Sequence, residues 1–249
     1  MDSSTYLAII VLALLSGMTT LIGVWLAYRI KNKSYLIVVG IGFSTGIMIL
    51  ISFFELFPEA IDEAGWTKAI LTGIIGFGFS AILNYIIPHT HLIKEREGAN
   101  RPIIAAAYLL AFGLILHDVP EGFAMANSFV NSPSLGIMVA IAIALHNIPE
   151  EFAMAVPLIT AGKNKKSLIK IAIVSGLAEP VGAVIGLLAV SFFTGLNAYM
   201  LAFSAGIMVY ISIHELLPMA HKYRKPIYLT TGLLASVLVF IILAIAFPE

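Results

Sequence analysis

Eight apolar runs follow one another along the chain with only short polar breaks between them. Each is long enough to cross a hydrocarbon layer of roughly 30 Å as a helix. They fall at about residues 6–28, 36–58, 67–88, 102–127, 134–160, 167–193, 197–220 and 226–247. Inside a bilayer every backbone N–H and C=O must be satisfied within the chain, and one helix per run achieves this. The pattern predicts an all-α membrane protein with eight transmembrane helices. Composition agrees: 11% of the 249 residues are charged, against about 25% in soluble domains. The first run, Tyr6 to Tyr28, is too long for a signal-peptide core and lacks a basic leader, so it reads as a retained span.

Cations test the count. Arg29, Lys31 and Lys33 follow the first run, and Lys94, Arg96 and Arg101 lie between the third and fourth. Lys163, Lys165, Lys166 and Lys170 separate the fifth and sixth; Lys222, Arg224 and Lys225 separate the seventh and eighth. Thirteen of 14 cations thus share one side, with Lys68 alone opposite. The positive-inside rule makes that side cytoplasmic and places both termini outside. No linker or low-complexity segment divides the chain, so residues 1–249 read as a single transmembrane domain. Acids and bases balance at 14 each, leaving no basic surface for nucleic acid. Cysteine is absent, which excludes disulfides and thiolate metal sites. The longest polar loop, about 89–101, holds His89 and His91, either a solvated pair or a weak metal-capture loop.

The sequence repeats itself internally. Residues 42–58 echo residues 202–218 at an offset of 160, with Ser44, Gly46, Met48, Ser52, Glu55 and Pro58 recurring as Ser204, Gly206, Met208, Ser212, Glu215 and Pro218. HDVPEGFAMA (117–126) matches HNIPEEFAMA (146–155) at seven of ten positions. By the span count the members of each pair run in opposite directions. Inverted repeats of this kind build transporters whose site lies at the midplane.

The second repeat carries the chemistry. His117 and Glu121 lie one helical turn apart and share a face, with Asp118 beside them; His146, Asn147 and Glu150 repeat the arrangement, and Glu151 is added. The sixth run contributes Glu179, followed by Pro180. Each ionisable group at membrane centre costs about 2.5–3.5 kcal/mol on insertion scales. No lysine or arginine lies at that depth in the sequence to pair with the acids. A bound divalent cation would neutralise them, and imidazole with carboxylate suits zinc, iron(II) and cobalt. Pro120 and Pro149 free the carbonyls of Leu116 and Leu145, a break tolerated where a cavity or partner receives them.

Other features stay open between a functional and a structural reading. Intramembrane His or Glu also make interhelical hydrogen bonds. Glu55, His214 and Glu215 read equally as pathway residues or as groups satisfied at helix interfaces. The stripe Ser44, Met48, Ser52, Glu55 is a candidate route lining, although Met48, like Met125 and Met154, suits core filling. Glu59, Asp62 and Glu63 flank the outer mouth as a cation funnel or a solvated loop. The spacings Gly42-x3-Gly46 and Gly182-x3-Gly186 permit close approach, within the chain or in a homodimer.

With eight spans, outward termini, HDVPEG in the fourth span, HNIPEE in the fifth and an inward Glu-Pro in the sixth, nearly the whole chain resembles the ZIP (Zrt-, Irt-like protein) metal transporters, in their prokaryotic zinc-uptake branch. The resemblance implies import of zinc, with iron, manganese, cobalt or cadmium, across the cell membrane, the metal being transported substrate and no cofactor being needed. It implies a two-metal site with ligands His117, Asp118, Glu121, His146, Asn147, Glu150 and Glu179, bridged by Glu121 and Glu150. It also implies alternating access, spans 1, 4, 5 and 6 rocking against 2, 3, 7 and 8. Two departures stand out. The family usually has glycine where Glu151 stands, which makes Glu151 an added ligand or gate charge, and the loop after the third span is short and poor in histidine. Two other functions fit less well: an intramembrane metal-dependent hydrolase, which would need an asymmetric site with a base, and a proton-coupled carrier of another cation.

Overall fold

The computed structural model describes residues 3–30, 33–86, 117–160, 162–193 and 195–248. Among them there are helices and short connections and no strand. α1 (Ser3–Gly17) and α2 (Thr20–Ile30) make the first span; α3 (Ser34–Ile51), a π-helical turn (Ser52–Leu56) and α4 (Phe57–Ala64) make the second, and α5 (Trp66–Ile86) the third. α6 covers residues 117–131. There follow α7 (Pro133–Thr160), α8 (Lys165–Gly176) joined to α9 (Ala178–Phe192), α10 (Asn197–Ile211) with a second π turn (Ser212–Leu216) and α11 (Leu217–Lys222), and α12 (Pro226–Ala246). Seven continuous helical stretches among the described residues are long and apolar enough to cross a membrane. The run expected at 102–127 enters the described residues only at 117, as α6, and His89 and His91 lie outside them.

Two spans expected as single helices are broken. The first interrupts at Met18–Thr19 and the sixth at Leu177. The cause is where they cross: a Cβ on Gly17 would overlap the Gly176 carbonyl, and one on Gly176 would overlap that of Gly17. Threonines serve the carbonyls released there. The Thr19 hydroxyl lies 2.6 Å from Ser16 O and 2.9 Å from Ala144 O on α7. Thr20 does the same between Gly17 O at 2.7 Å and Ala172 O on α8 at 3.0 Å. Each hydroxyl has one proton, shared between a local and an interhelical acceptor. Thr20→Val is expected to lower the unfolding free energy by about 0.6 kcal/mol, and at most about 1.7. Thr20→Ser should retain wild-type stability, both measured as thermal midpoints in detergent.

The 160-residue repeat survives as geometry. Pro58 and Pro218 cannot donate to the carbonyl four residues back, and their rings crowd it. The preceding turn widens in both copies: Phe57 N–H donates to Ser52 O, and Leu217 N–H to Ser212 O. The serine hydroxyls donate back to Met48 O at 2.7 Å and to Met208 O at 2.8 Å. Such a π turn changes the direction in which the following side chains point.

Packing repeats as well. α3 lies on α12, and α10 on α5. Gly42 and Gly46 face Leu229, Gly232 and Ser236 of α12, while Gly206 faces Gly73 and Phe77 of α5. Gly182 and Gly186 face Val119, Phe123 and Asn127 of α6. Both small-residue spacings therefore serve approach within the chain. Two groups of helices result. α1, α2, α7, α8 and α9 pack together, with α6 joined through the glycine crossings, and α3, α4, α5, α10, α11 and α12 form the other group. The groups meet where α3 crosses α7 and where the start of α6 faces the second π turn.

Candidate metal centre

The fully buried His146 fixes the centre. Its Nδ1 lies 3.0 Å from Ala142 O. A carbonyl only accepts, so Nδ1 carries the proton and donates, an assignment made from the network. Nε2 then faces Glu121 Oε1 at 3.0 Å. Ligand atoms of Glu121, His146 and Glu150 all lie within 4.8 Å of one another, and all three residues are buried.

On one side stands His117, its Nε2 3.0 Å from Glu215 Oε2 and its Nδ1 4.0 Å from Glu150 Oε1. On the other side Asn147 Nδ2 donates to Glu179 Oε1 at 2.5 Å. The Ser175 hydroxyl donates to the Asp118 carboxylate. The break at Leu177 separates Ser175, at the end of α8, from Glu179, in the first turn of α9. Glu121 Oε2, Glu150 Oε1 and Glu179 Oε2 are buried with no hydrogen-bond partner among the described residues. Buried carboxylate oxygens without donors are costly unless a cation meets them. Chemically this is an oxygen-rich chamber with imidazole nitrogen, a ligand set for borderline divalent metals.

The profile of the family described as ZIP Zinc transporter matches residues 89–245. The chain belongs to the ZIP zinc transporter family. Relatives named "Zinc transporter ZupT" align along nearly their whole length. The protein from Corynebacterium aurimucosum is 37% identical over 256 residues, covering 96% of this chain and 97% of its own. That from Chlorobaculum parvum is 34% identical over 257 residues, covering 95% and 96%. That from Streptococcus mutans is 36% identical over 255 residues, again covering 95% and 96%. This ZIP chain is a multi-pass membrane protein.

Other residues singled out in the sequence land in several places. Glu151 is fully buried and is not one of the three residues whose ligand atoms converge. Its Cβ occupies the space that a Cβ on Gly23 of α2 would need, 2.8 Å away. At the repeat-related position it is Gly122 that makes room, for the Glu179 backbone of α9. The two contacts exchange which partner is glycine, which explains how a glutamate fits at position 151. Of the open group, Glu215 is buried against His117 and Glu55 is half-buried, while His214 is exposed and stacks on Tyr210 with centroids 4.6 Å apart.

The serine stripe serves backbone carbonyls: Ser44 donates to His146 O at 3.0 Å, and Ser52 to Met48 O. Thr19 and Ser44 thus reach carbonyls on either side of Leu145, whose own helical donor Pro149 removes. Met48, Met125 and Met154 are core filling. Glu59 accepts from Asn131 at the end of α6, while Asp62 and Glu63 are exposed. Sequence reasoning missed Ser175. Helical spacing from Glu179 could not have found it, because the chain breaks at Leu177 between the two.

Proposed function

We propose that this chain carries divalent transition-metal ions, zinc first, into the cytoplasm through a binuclear His/carboxylate site formed by α6, α7 and the α8–α9 break. The carrying observation is the convergence of buried Glu121, His146 and Glu150 from the two repeat-related motifs. Glu121 and Glu150 bridge. His117 and His146 complete one subsite; Asp118, Asn147 and Glu179 complete the other. Glu151, whose Cβ lies against Gly23 of α2 and whose carboxylate oxygens are buried without a partner among the described residues, is an added ligand or a gate charge. Iron, manganese, cobalt and cadmium are further cargo that the same ligands accept, and the working unit is a monomer or a homodimer.

The proposed topology has eight spans, residues 102–127 completing the set, with both termini outside. The lysine and arginine distribution supports it. The relatives' printed name supports zinc, and transport rather than hydrolysis is the activity of the family. The protein is not an enzyme.

Transport needs the site to face each side in turn. The two packed helix groups match the grouping that alternating access requires, and they meet beside the centre, at Ser44 on the His146 carbonyl and at Glu215 on His117. An incoming ion takes the Glu121 and His146 atoms that otherwise face each other. It likewise replaces the Asn147 amide as partner of Glu179. These exchanges give Glu121 Oε1 and Glu179 Oε1 a partner after the ion departs, which keeps affinity modest enough for release.

Protons compete with metal for the same oxygen and nitrogen atoms. Zinc influx into proteoliposomes with an internal fluorescent indicator should therefore fall steadily as external pH is lowered from about 7.5 to about 5, since the ligands must shed their protons to bind metal. Influx independent of pH across that range would contradict this competition. Absence of zinc influx, with orientation and indicator verified, would shift the proposal to iron(II), manganese or cobalt.

A further inference from the structure

A groove of about 640 Å³ opens between α4, α5 and α10, remote in character from the polar centre. Phe53 and Phe57 wall it on one side and Ile70, Ile74 and Phe77 on the other; its floor is where Gly73 and Gly206 bring α5 and α10 together. Among the described residues its lining holds one charged side chain, Asp62, close to Trp66 at the turn between α4 and α5. α5 is among the least buried spans, so the groove faces the surroundings of the bundle. In a membrane protein those surroundings are lipid tails. An empty apolar cleft of this size would forfeit the dispersion contacts of its walls. Tryptophan at a span end marks the level of the lipid headgroups.

The geometry points to a structural phospholipid site here: one acyl chain lies in the groove along α5, and an ammonium-bearing headgroup such as phosphatidylethanolamine rests at Asp62. The arrangement matches an amphiphile, apolar along its length and charged at one end. The carboxylate at that end disfavours anionic headgroups of phosphatidylglycerol type. A second copy of the chain offers one cation on the outer side, Lys68, whereas the ethanolamine lipid joins an ammonium to an apolar chain in one molecule. The lining lies on the helix group opposite the metal ligands, so the lipid stiffens that group as a unit.

Native mass spectrometry of the full chain, released from bilayers of equal phosphatidylethanolamine and phosphatidylglycerol, tests this. One retained phosphatidylethanolamine is expected at activation energies that strip the rest. Ile74→Trp fills the groove and should lower that retention about fivefold, the size of one interfacial contact, while Ile82→Trp on the same lipid-facing helix should not. Asp62→Asn should erase the headgroup preference. Should Ile74→Trp be poorly folded, the native groove can be read directly. Trp25 and Trp66 are the protein's two tryptophans, so in a Trp25→Phe background brominated phosphatidylethanolamine should quench Trp66 more than brominated phosphatidylglycerol at equal mole fraction. Equal quenching, equal retention in the two tryptophan variants, or a lipid-free dimer occluding the groove would each overturn the assignment.

Discussion

Zinc influx into proteoliposomes should vanish when Glu121 and Glu150 are both replaced by alanine, while the protein remains folded. The two carboxylates come from the two halves of the repeat and, with His146, form the triad whose ligand atoms lie within 4.8 Å of one another. Loss of groups that only orient a ligand commonly costs about 10–100-fold in metal affinity or activity, so removing the two carboxylates proposed to bridge should exceed about 100-fold. Folding is expected to move the other way. Both side chains are nearly inaccessible, and each carries a buried oxygen without a hydrogen-bond partner among the described residues. Their removal relieves a desolvation cost of about 2.5–3.5 kcal/mol per ionised group on insertion scales, offset by the cavity that alanine leaves. The discriminating measurement is thermal unfolding in detergent with and without zinc. Zinc should raise the wild-type midpoint by mass action, and leave the double variant unmoved. A variant that loses flux yet still gains stability from zinc would place the metal elsewhere.

Much of this architecture could be read from residue order because the bilayer leaves few alternatives. An apolar run of span length has to be a helix, and acids spaced one turn apart have to share a face, so His117 with Glu121 and His146 with Glu150 were legible. The π turns were half-legible: Pro58 and Pro218 announce a disturbance, but only the structure shows that it is absorbed as a widened turn at Ser52 and Ser212. The breaks at Met18–Thr19 and Leu177 could not be read. Gly17 and Gly176 are ordinary glycines in apolar runs until the two spans are seen to cross backbone to backbone. Glu151 illustrates the converse. Its sequence neighbour Glu150 suggests an added ligand or gate charge; one residue on a helix is a rotation of about 100°, as 3.6 residues complete a turn. Only the structure shows that this rotation sets its Cβ against Gly23 of α2.

A single methyl group placed at the α6–α9 crossing should disable the centre from behind. A Cβ on Gly122 would overlap the Glu179 carbonyl, and one on Gly182 would overlap that of Val119. The obstacles are backbone atoms, which cannot swing aside as a flexible side chain would. Gly122→Ala therefore has to push α9 away from α6, at a cost of about 1–3 kcal/mol for overpacking. The displacement acts where it matters, since Gly122 follows Glu121 and the atom it strikes belongs to Glu179 itself. Glu179 would move away from Asn147 and from the bridging carboxylates. A shift of about 1 Å at such a site can cost about 100-fold. The expected result is a flux lowered by at least about tenfold, with a weakened zinc-induced rise in melting midpoint. Gly78→Ala is the matched control: a Cβ there meets nothing within 4 Å among the described residues, so flux and midpoint should stay near wild type. If Gly122→Ala transports normally, α9 is free to yield, and the spacing between Glu121 and Glu179 is set by the metal rather than by the helix crossing.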